Sequence, residues 1–133
     1  MELNNGIHLI LDIIVKDICS PNLNHESTIV HYLDECIRLS EMEEVGSVIH
    51  KFEPINNLTG ITSVRVLGTS HLSCHSWPEE NYISIDLFSC KYFDVNKIIN
   101  FTKEYFNTKR CDISIVDRNI GIPHKYVNYI EEN

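Results

Sequence analysis

The stretch Ile61-Thr62-Ser63-Val64-Arg65-Val66-Leu67-Gly68-Thr69-Ser70-His71-Leu72-Ser73-Cys74-His75-Ser76-Trp77-Pro78-Glu79-Glu80-Asn81-Tyr82-Ile83-Ser84-Ile85-Asp86-Leu87-Phe88-Ser89-Cys90 decides the fold. It reads as three extended segments, Ile61–Leu67, His71–Trp77 and Tyr82–Cys90, separated by turn residues. Pro78 with Glu79, Glu80 and Asn81 suits a hairpin turn, since proline presets one backbone angle and asparagine tolerates the left-handed region. Strands linked by hairpins pair antiparallel. The centre of the chain is therefore expected to be an antiparallel sheet.

Outward from this centre, residues 8–16 alternate, with Leu9, Leu11, Ile13 and Val15 on one side and His8, Ile10, Asp12 and Ile14 on the other. That period of two predicts a first strand. Ser20-Pro21-Asn22 breaks the chain, and from about His25 to Met42 the apolar residues Ile29, Val30, Leu33, Cys36, Ile37 and Leu39 recur at helical spacing. Val45 to Phe52 reads as another strand, ended by Pro54 and Asn56-Asn57. Asp94 is placed to cap a second helix carrying Val95, Ile98, Ile99, Phe101, Tyr105 and Phe106. Asp112 to Val116 gives a short last strand, and the tail from Gly121 is polar. The expected class is α+β: a two-layer α/β sandwich, a mainly antiparallel sheet with two helices on one face. Several strands carry apolar residues on both faces, as with Ile10 and Ile14 opposite Leu9 and Leu11. Two helices cover one face only, so a second copy of the chain is expected on the other, giving a homodimer.

A chain of 133 residues fits a single domain, 1–133, and 43% hydrophobic content supports a packed core. The longest apolar segment, Ile7 to Val15, is interrupted by His8 and Asp12 and falls short of a membrane span. The start Met-Glu-Leu-Asn-Asn lacks the basic, then apolar, pattern of a secretory signal, so a soluble cytoplasmic protein is expected, with no membrane partner. A net charge of −8 speaks against a nucleic-acid partner, which needs a basic face. The five cysteines (Cys19, Cys36, Cys74, Cys90 and Cys111) are odd in number and include no Cys-x-x-Cys pair, so neither a metal site nor a disulfide framework is signalled.

Gly-rich phosphate loops, nucleophile elbows and His-Glu-x-x-His motifs are absent. By composition alone, residues 68–79 are an amphipathic strand rich in small polar residues. Their order says more. Ser70-His71-Leu72-Ser73-Cys74-His75-Ser76-Trp77-Pro78-Glu79, then Ile85-Asp86-Leu87-Phe88-Ser89-Cys90, resembles the signature of the small prokaryotic S-adenosylmethionine decarboxylases. Gly6-x-His8-Leu9 with Asp12, His50-Lys51-Phe52-x-Pro54 and Gly121-Ile122-Pro123 extend the resemblance over most of the chain, with about four extra residues between Pro54 and Gly60.

The resemblance implies a proenzyme that cuts itself between Thr69 and Ser70, into residues 1–69 and 70–133. The Ser70 hydroxyl attacks the Thr69 carbonyl to give an ester, elimination releases the first piece, and Ser70 becomes a pyruvoyl group. That group is the only cofactor implied, with no metal, and it forms a Schiff base with the substrate amine and accepts the electrons released with carbon dioxide. His75 matches the histidine assigned to the elimination, a role suited to an imidazole. Thr62 stands where the family has a serine that assists processing, and Cys90 matches the cysteine that returns a proton to the substrate. Glu79 corresponds to a glutamate that holds ribose hydroxyls. Phe52 corresponds to an aromatic that stacks on adenine, although a core position reads equally well.

Two departures stand out. Thr69 replaces the family's usual glutamate, and Cys74 replaces an aliphatic residue, where it reads as a buried, inert thiol. Arginine or ornithine remain alternative substrates at this point, and a processing-dead paralogue is the non-enzymatic alternative. Cys90 shares strand parity with Ser84 and Asp86, which favours a polar site. Ser70 and His75 differ by an odd number and so face opposite sides of a regular strand. For both to serve one site, the chain must turn or bulge between them, or Ser70 must lie beyond the strand's start. Gly68 is expected to lend flexibility beside the scissile bond.

Overall fold

In a computed structural model, residues 5–17 and 21–133 are described. The expected break at Ser20 and the thiol of Cys19 lie outside them. The elements run β1 (Ile7–Val15), α1 (Glu26–Ser40), β2 (Glu44–Lys51), β3 (Ile61–Leu67), β4 (Ser70–Trp77), β5 (Tyr82–Ser89), α2 (Val95–Phe106), β6 (Thr108–Asp117) and β7 (Lys125–Glu132). The strands form one sheet in the order β2-β3-β4-β5-β1-β6-β7, and every neighbouring pair is antiparallel. The first strand is thus inserted between two that come much later in sequence, β5 and β6.

Both helices lie on one face, as the two-layer class requires. Alternation selects what they cover. Leu9, Leu11 and Ile13 of β1, Leu72 and Cys74 of β4, and Ile83, Ile85 and Leu87 of β5 are all buried. Tyr32, which the helical spacing of aliphatic residues passes over, fills the centre of the helix layer. It is fully buried, stacks on Phe101 at 5.6 Å, and shares a 2.6 Å hydrogen bond with Thr102. Asp94 caps α2 by accepting from the Asn96 and Lys97 amides, a contact worth about 1 kcal/mol. Among the described residues, Arg65 of β3 is buried although charged: it donates to Asp34 of α1 at 2.8 Å and to Glu44 of β2 at 2.6 Å. The pairing ties the first helix to the sheet edge and spares the guanidinium an unpaired burial.

Two expectations need correction. The polar tail contains a seventh strand, β7, paired along β6, and β6 itself begins earlier than expected, at Thr108. The hairpin turn at Pro78–Glu80 stands, as a single 3-10 turn closed by Asn81 at φ 56°. Among the described residues, no helix covers the sheet face away from α1 and α2. Val48, Val66, Tyr126 and Ile130 are exposed apolar side chains, and their register places them on that open face.

Candidate functional site

Residues Gly68 and Thr69 form the two-residue loop between β3 and β4, whose last pair is Leu67 with Ser70. Both loop residues are exposed. Gly68 does not take a positive φ, and a Cβ added there would meet nothing within 4 Å. Its conformation here is therefore one that other residues could also adopt. The loop is tethered by the Gly68 amide, which donates to the Glu43 carbonyl at 3.0 Å.

Ser70 opens β4, and its register with β5 sets it opposite Ser89. Its hydroxyl donates to the Ser89 hydroxyl at 2.7 Å and lies 3.2 Å from the Thr69 hydroxyl. The Thr69 carbonyl accepts the Cys90 amide at 3.2 Å. Nothing in the string singled out Ser89 except its place directly before Cys90. Cys90 itself is exposed just past the end of β5. The other described cysteines are different. Cys36, Cys74 and Cys111 are buried, and that burial pushes each thiol up to about 12, so they stay protonated at neutral pH. Cys74 is accordingly the inert thiol expected.

On the open face beside this end, Phe88 gathers polar and charged groups. The His71 ring lies 5.5 Å from it, the Arg118 guanidinium sits over it at 4.9 Å, and His8 meets its edge at 6.3 Å. His8 Nε2 is also 2.9 Å from Asp86. Gly6 lies so close that a Cβ would come within 2.8 Å of the Phe88 ring and 2.9 Å of the Ser89 carbonyl.

His75 lies at the other end of β4. It pairs across the ladder with Thr62, whose hydroxyl is 2.9 Å from its Nδ1. Its ring neighbours Trp77 at 5.8 Å, and Trp77 stacks on Tyr82 at 5.1 Å. Tyr82 hydrogen-bonds Asp12, and desolvation together with that carboxylate pushes its phenol up to about 12. Phe52 and Glu79 belong to this end too. Glu79 accepts from the Thr59 amide at 3.3 Å. Phe52 is 41% exposed, which removes the core reading, and its amide donates to the Gly60 carbonyl at 2.9 Å. Gly60 is required here: a Cβ would fall 2.4 Å from the Ser76 carbonyl and 3.3 Å from the Phe52 ring. A hollow of ≈ 540 Å³ is lined by His50, Phe52, Glu53 and Thr59, among others.

The structure therefore gathers the expected residues into two groups. Thr69, Ser70 and Cys90 stand at one end, and Thr62, His75, Phe52 and Glu79 at the other. β4 pairs with both neighbours in unbroken register, so no bulge brings Ser70 and His75 together. Five residues of regular strand separate them by roughly 17 Å, with the side chains on opposite faces. Among the described residues, no group of three or more His, Cys, Asp or Glu side chains could hold a metal ion, and no helix is long and apolar enough to cross a membrane.

Comparison with known proteins places this geometry beside a family, two relatives and two solved structures. Residues 7–119 match the family model described as S-adenosylmethionine decarboxylase. The chain is 31% identical over 115 residues to an S-adenosylmethionine decarboxylase proenzyme of Clostridium botulinum, covering 86% of this chain and 94% of that one. It is 27% identical to the protein of the same name from Persephonella marina, over 99% and 96% of the two chains. Among solved structures, the adenosylmethionine decarboxylase of Aquifex aeolicus superposes with a TM-score of 0.73 at 22% identity, covering 92% of this chain and 97% of that chain. A Trypanosoma brucei AdoMetDC matches at TM-score 0.56 and 13% identity, over 83% of this chain and 45% of that longer one.

Proposed function

The chain belongs to the S-adenosylmethionine decarboxylase family, and from that premise we propose that it is a self-processing, pyruvoyl-dependent enzyme that decarboxylates S-adenosylmethionine for polyamine (spermidine) synthesis. The observation that carries the reading is the Thr69–Ser70 bond: it lies in an exposed two-residue loop, with the Ser70 hydroxyl held by Ser89 and the Thr69 carbonyl held by the Cys90 amide. The residues suit the formation of the group. Ser70 Oγ adds to the Thr69 carbonyl carbon, the C–N bond breaks, and the hydroxyl proton ends on the freed nitrogen, leaving an ester. Removal of the Ser70 α-proton then expels residues 1–69 as a carboxylate, and hydrolysis of the residue left behind releases ammonia. Once formed, the pyruvoyl group supplies a carbonyl that binds the substrate amine and takes up the electrons freed as carbon dioxide leaves.

His75 is the proposed base for the α-proton. The Thr62 hydroxyl at Nδ1 orients its ring. Cys90, exposed beside the scissile bond and unlike the buried thiols, is the proposed proton donor to the substrate's α-carbon. Exposed Phe52 offers its ring to adenine, and Glu79 its carboxylate to ribose hydroxyls. The names of the relatives favour S-adenosylmethionine over arginine or ornithine.

The separation of the two groups supports a homodimer in which each site is shared. His75 with Thr62, Phe52 and Glu79 of one copy would meet the sheet end that carries Ser70 and Cys90 in the other, and the exposed Val48, Val66, Tyr126 and Ile130 of the open face would then be covered. The proposed setting is cytoplasmic, and the net charge of −8 supports the absence of a nucleic-acid partner.

Mass spectrometry of purified protein tests the reading. Fragments of residues 1–69 and 70–133 are expected, the second blocked to Edman sequencing, with labelled carbon dioxide released from carboxyl-labelled S-adenosylmethionine. A single intact chain after long incubation, or no release, sinks it.

A further inference from the structure

We propose that Ser89 is a positioning residue for the self-cleavage, acting with the Cys90 amide to hold both reacting groups; the inference rests on reading Thr69–Ser70 as the processed bond. Ser89 is fully buried, and its three hydrogen bonds fix which way the protons point. Its hydroxyl donates to the Lys91 carbonyl at 2.7 Å and accepts the Lys91 amide at 2.9 Å. With its own proton committed, Ser89 can meet Ser70 only as an acceptor, and Ser70 donates to it at 2.7 Å. Closing the turn after β5 needs only the two Lys91 bonds. The third reaches across to the next strand and engages the nucleophile.

The consequence is geometric. A serine at the start of a strand beside an exposed loop would otherwise share its time among staggered rotamers. Ser89 selects one of them and ties down the proton of Ser70, so the lone pairs of Oγ are what remains to add to a carbonyl. One residue on, the Cys90 amide donates to the Thr69 carbonyl oxygen at 3.2 Å. That oxygen gains negative charge when Oγ adds, and the donor is already in place. Ser89 and Cys90 thus bracket the bond, the first on the nucleophile and the second on the electrophile. Their support is itself anchored, since Lys91 Nζ donates to the Glu41 carbonyl at the end of α1 at 3.1 Å. In the acyl shift the Oγ–C bond forms, the C–N bond breaks, and the Ser70 proton moves to nitrogen. Ser89 keeps its own proton throughout, so its part is orientation and not proton removal.

The test follows freshly purified proenzyme by mass spectrometry, with and without hydroxylamine, which cleaves the ester and leaves a sequenceable Ser70. Ser89→Ala is expected to slow cleavage about 10- to 100-fold in both conditions, because ester formation has become slow, while Ser89→Thr stays within about threefold of the wild type. Ser89→Cys fills similar space but accepts poorly, so it should also be slow; it serves if the alanine variant does not fold by circular dichroism. Wild-type rates in both Ser89→Ala and Ser89→Cys overturn the proposal. So does full recovery with hydroxylamine, which would put the defect after the ester, and so does a folded Ser89→Thr as slow as Ser89→Ala. A wild type that never cleaves instead sinks the reading of the Thr69–Ser70 bond.

Discussion

The two ends of β4 are made of similar residues and arranged for different work. At the first, Ser70 is bound into its own chain: Ser89 holds its hydroxyl, Cys90 holds the neighbouring carbonyl, and Lys91 fastens their turn to α1. At the second, His75 has the Thr62 hydroxyl on one nitrogen, and the exposed Phe52 lies in the same region of the sheet. The first end has the parts that ester formation needs within one chain. The second holds the proposed base and binding groups, set apart from Ser70 of their own chain by an unbroken strand. Under the proposed roles, attack on the carbonyl and removal of the α-proton become separable requirements, the first open to a single copy and the second to an encounter between copies.

The strongest way to break that comparison is at its centre. Ser70→Ala should remain a single chain on denaturing gels and lose decarboxylation by at least about 10³-fold, since the electron sink cannot form. Any cut chain in this variant would mean that another bond is the processed one. A mixing experiment sharpens the contrast between the ends. Ser70→Ala and His75→Ala are each expected to be inactive alone, yet refolding them together should regain activity through mixed dimers that carry one complete site. No regain from confirmed mixed dimers would put both ends to use within one copy. Cys90→Ala should still be cut, because the chain contributes its amide and not its thiol to the scissile carbonyl, while turnover falls about 10²-fold. Cleavage lost together with turnover would tie the thiol to processing.

The smallest effect concerns the buried thiols. Cys36 and Cys74 are pushed up to about 12 by burial from an ordinary value of 9.0. Below pH 9 both folded and unfolded chains keep these protons, so the contribution to stability is complete. As pH rises from 9 toward 12 the unfolded chain ionises first, and the folded state loses that contribution. Urea midpoints should therefore drop between about pH 8 and about pH 10.5, and less so in Cys36→Ala. An unchanged drop in that variant would assign the effect to other groups. Brief alkylation at neutral pH should label exposed Cys90 well before Cys36, Cys74 or Cys111.

The sequence disclosed the hairpins closely because their alternation is clean: Leu72 and Cys74 inward, His71 and His75 outward, with Pro78 and Asn81 marking the turn. It concealed β7 for an equally physical reason. That strand is an edge, most of its residues are exposed, and apolar and polar residues fall on both of its faces (Tyr126, Asn128 and Ile130 against Val127, Tyr129 and Glu131). No period-two contrast survives such a pattern. The site was legible as a string and not as an arrangement. Parity already put Ser70 and His75 on opposite faces, but only the unbroken register removed the bulge that could have reconciled them. Ser89 looked like an ordinary strand residue, since a partner nineteen positions away in sequence leaves no local mark.

The position of β1 between β5 and β6 has a consequence for the protein's history. A cut after Thr69 assigns β1, α1, β2 and β3 to one piece and the remaining elements to the other, yet β1 stays hydrogen-bonded on both sides to strands of the second piece. The two pieces are threaded through each other and cannot part by loosening at one seam. For an uncut chain, assembling this sheet is a search by one molecule with itself. For a chain cut after Thr69 it would be a meeting of two, and its yield should fall as the protein is diluted.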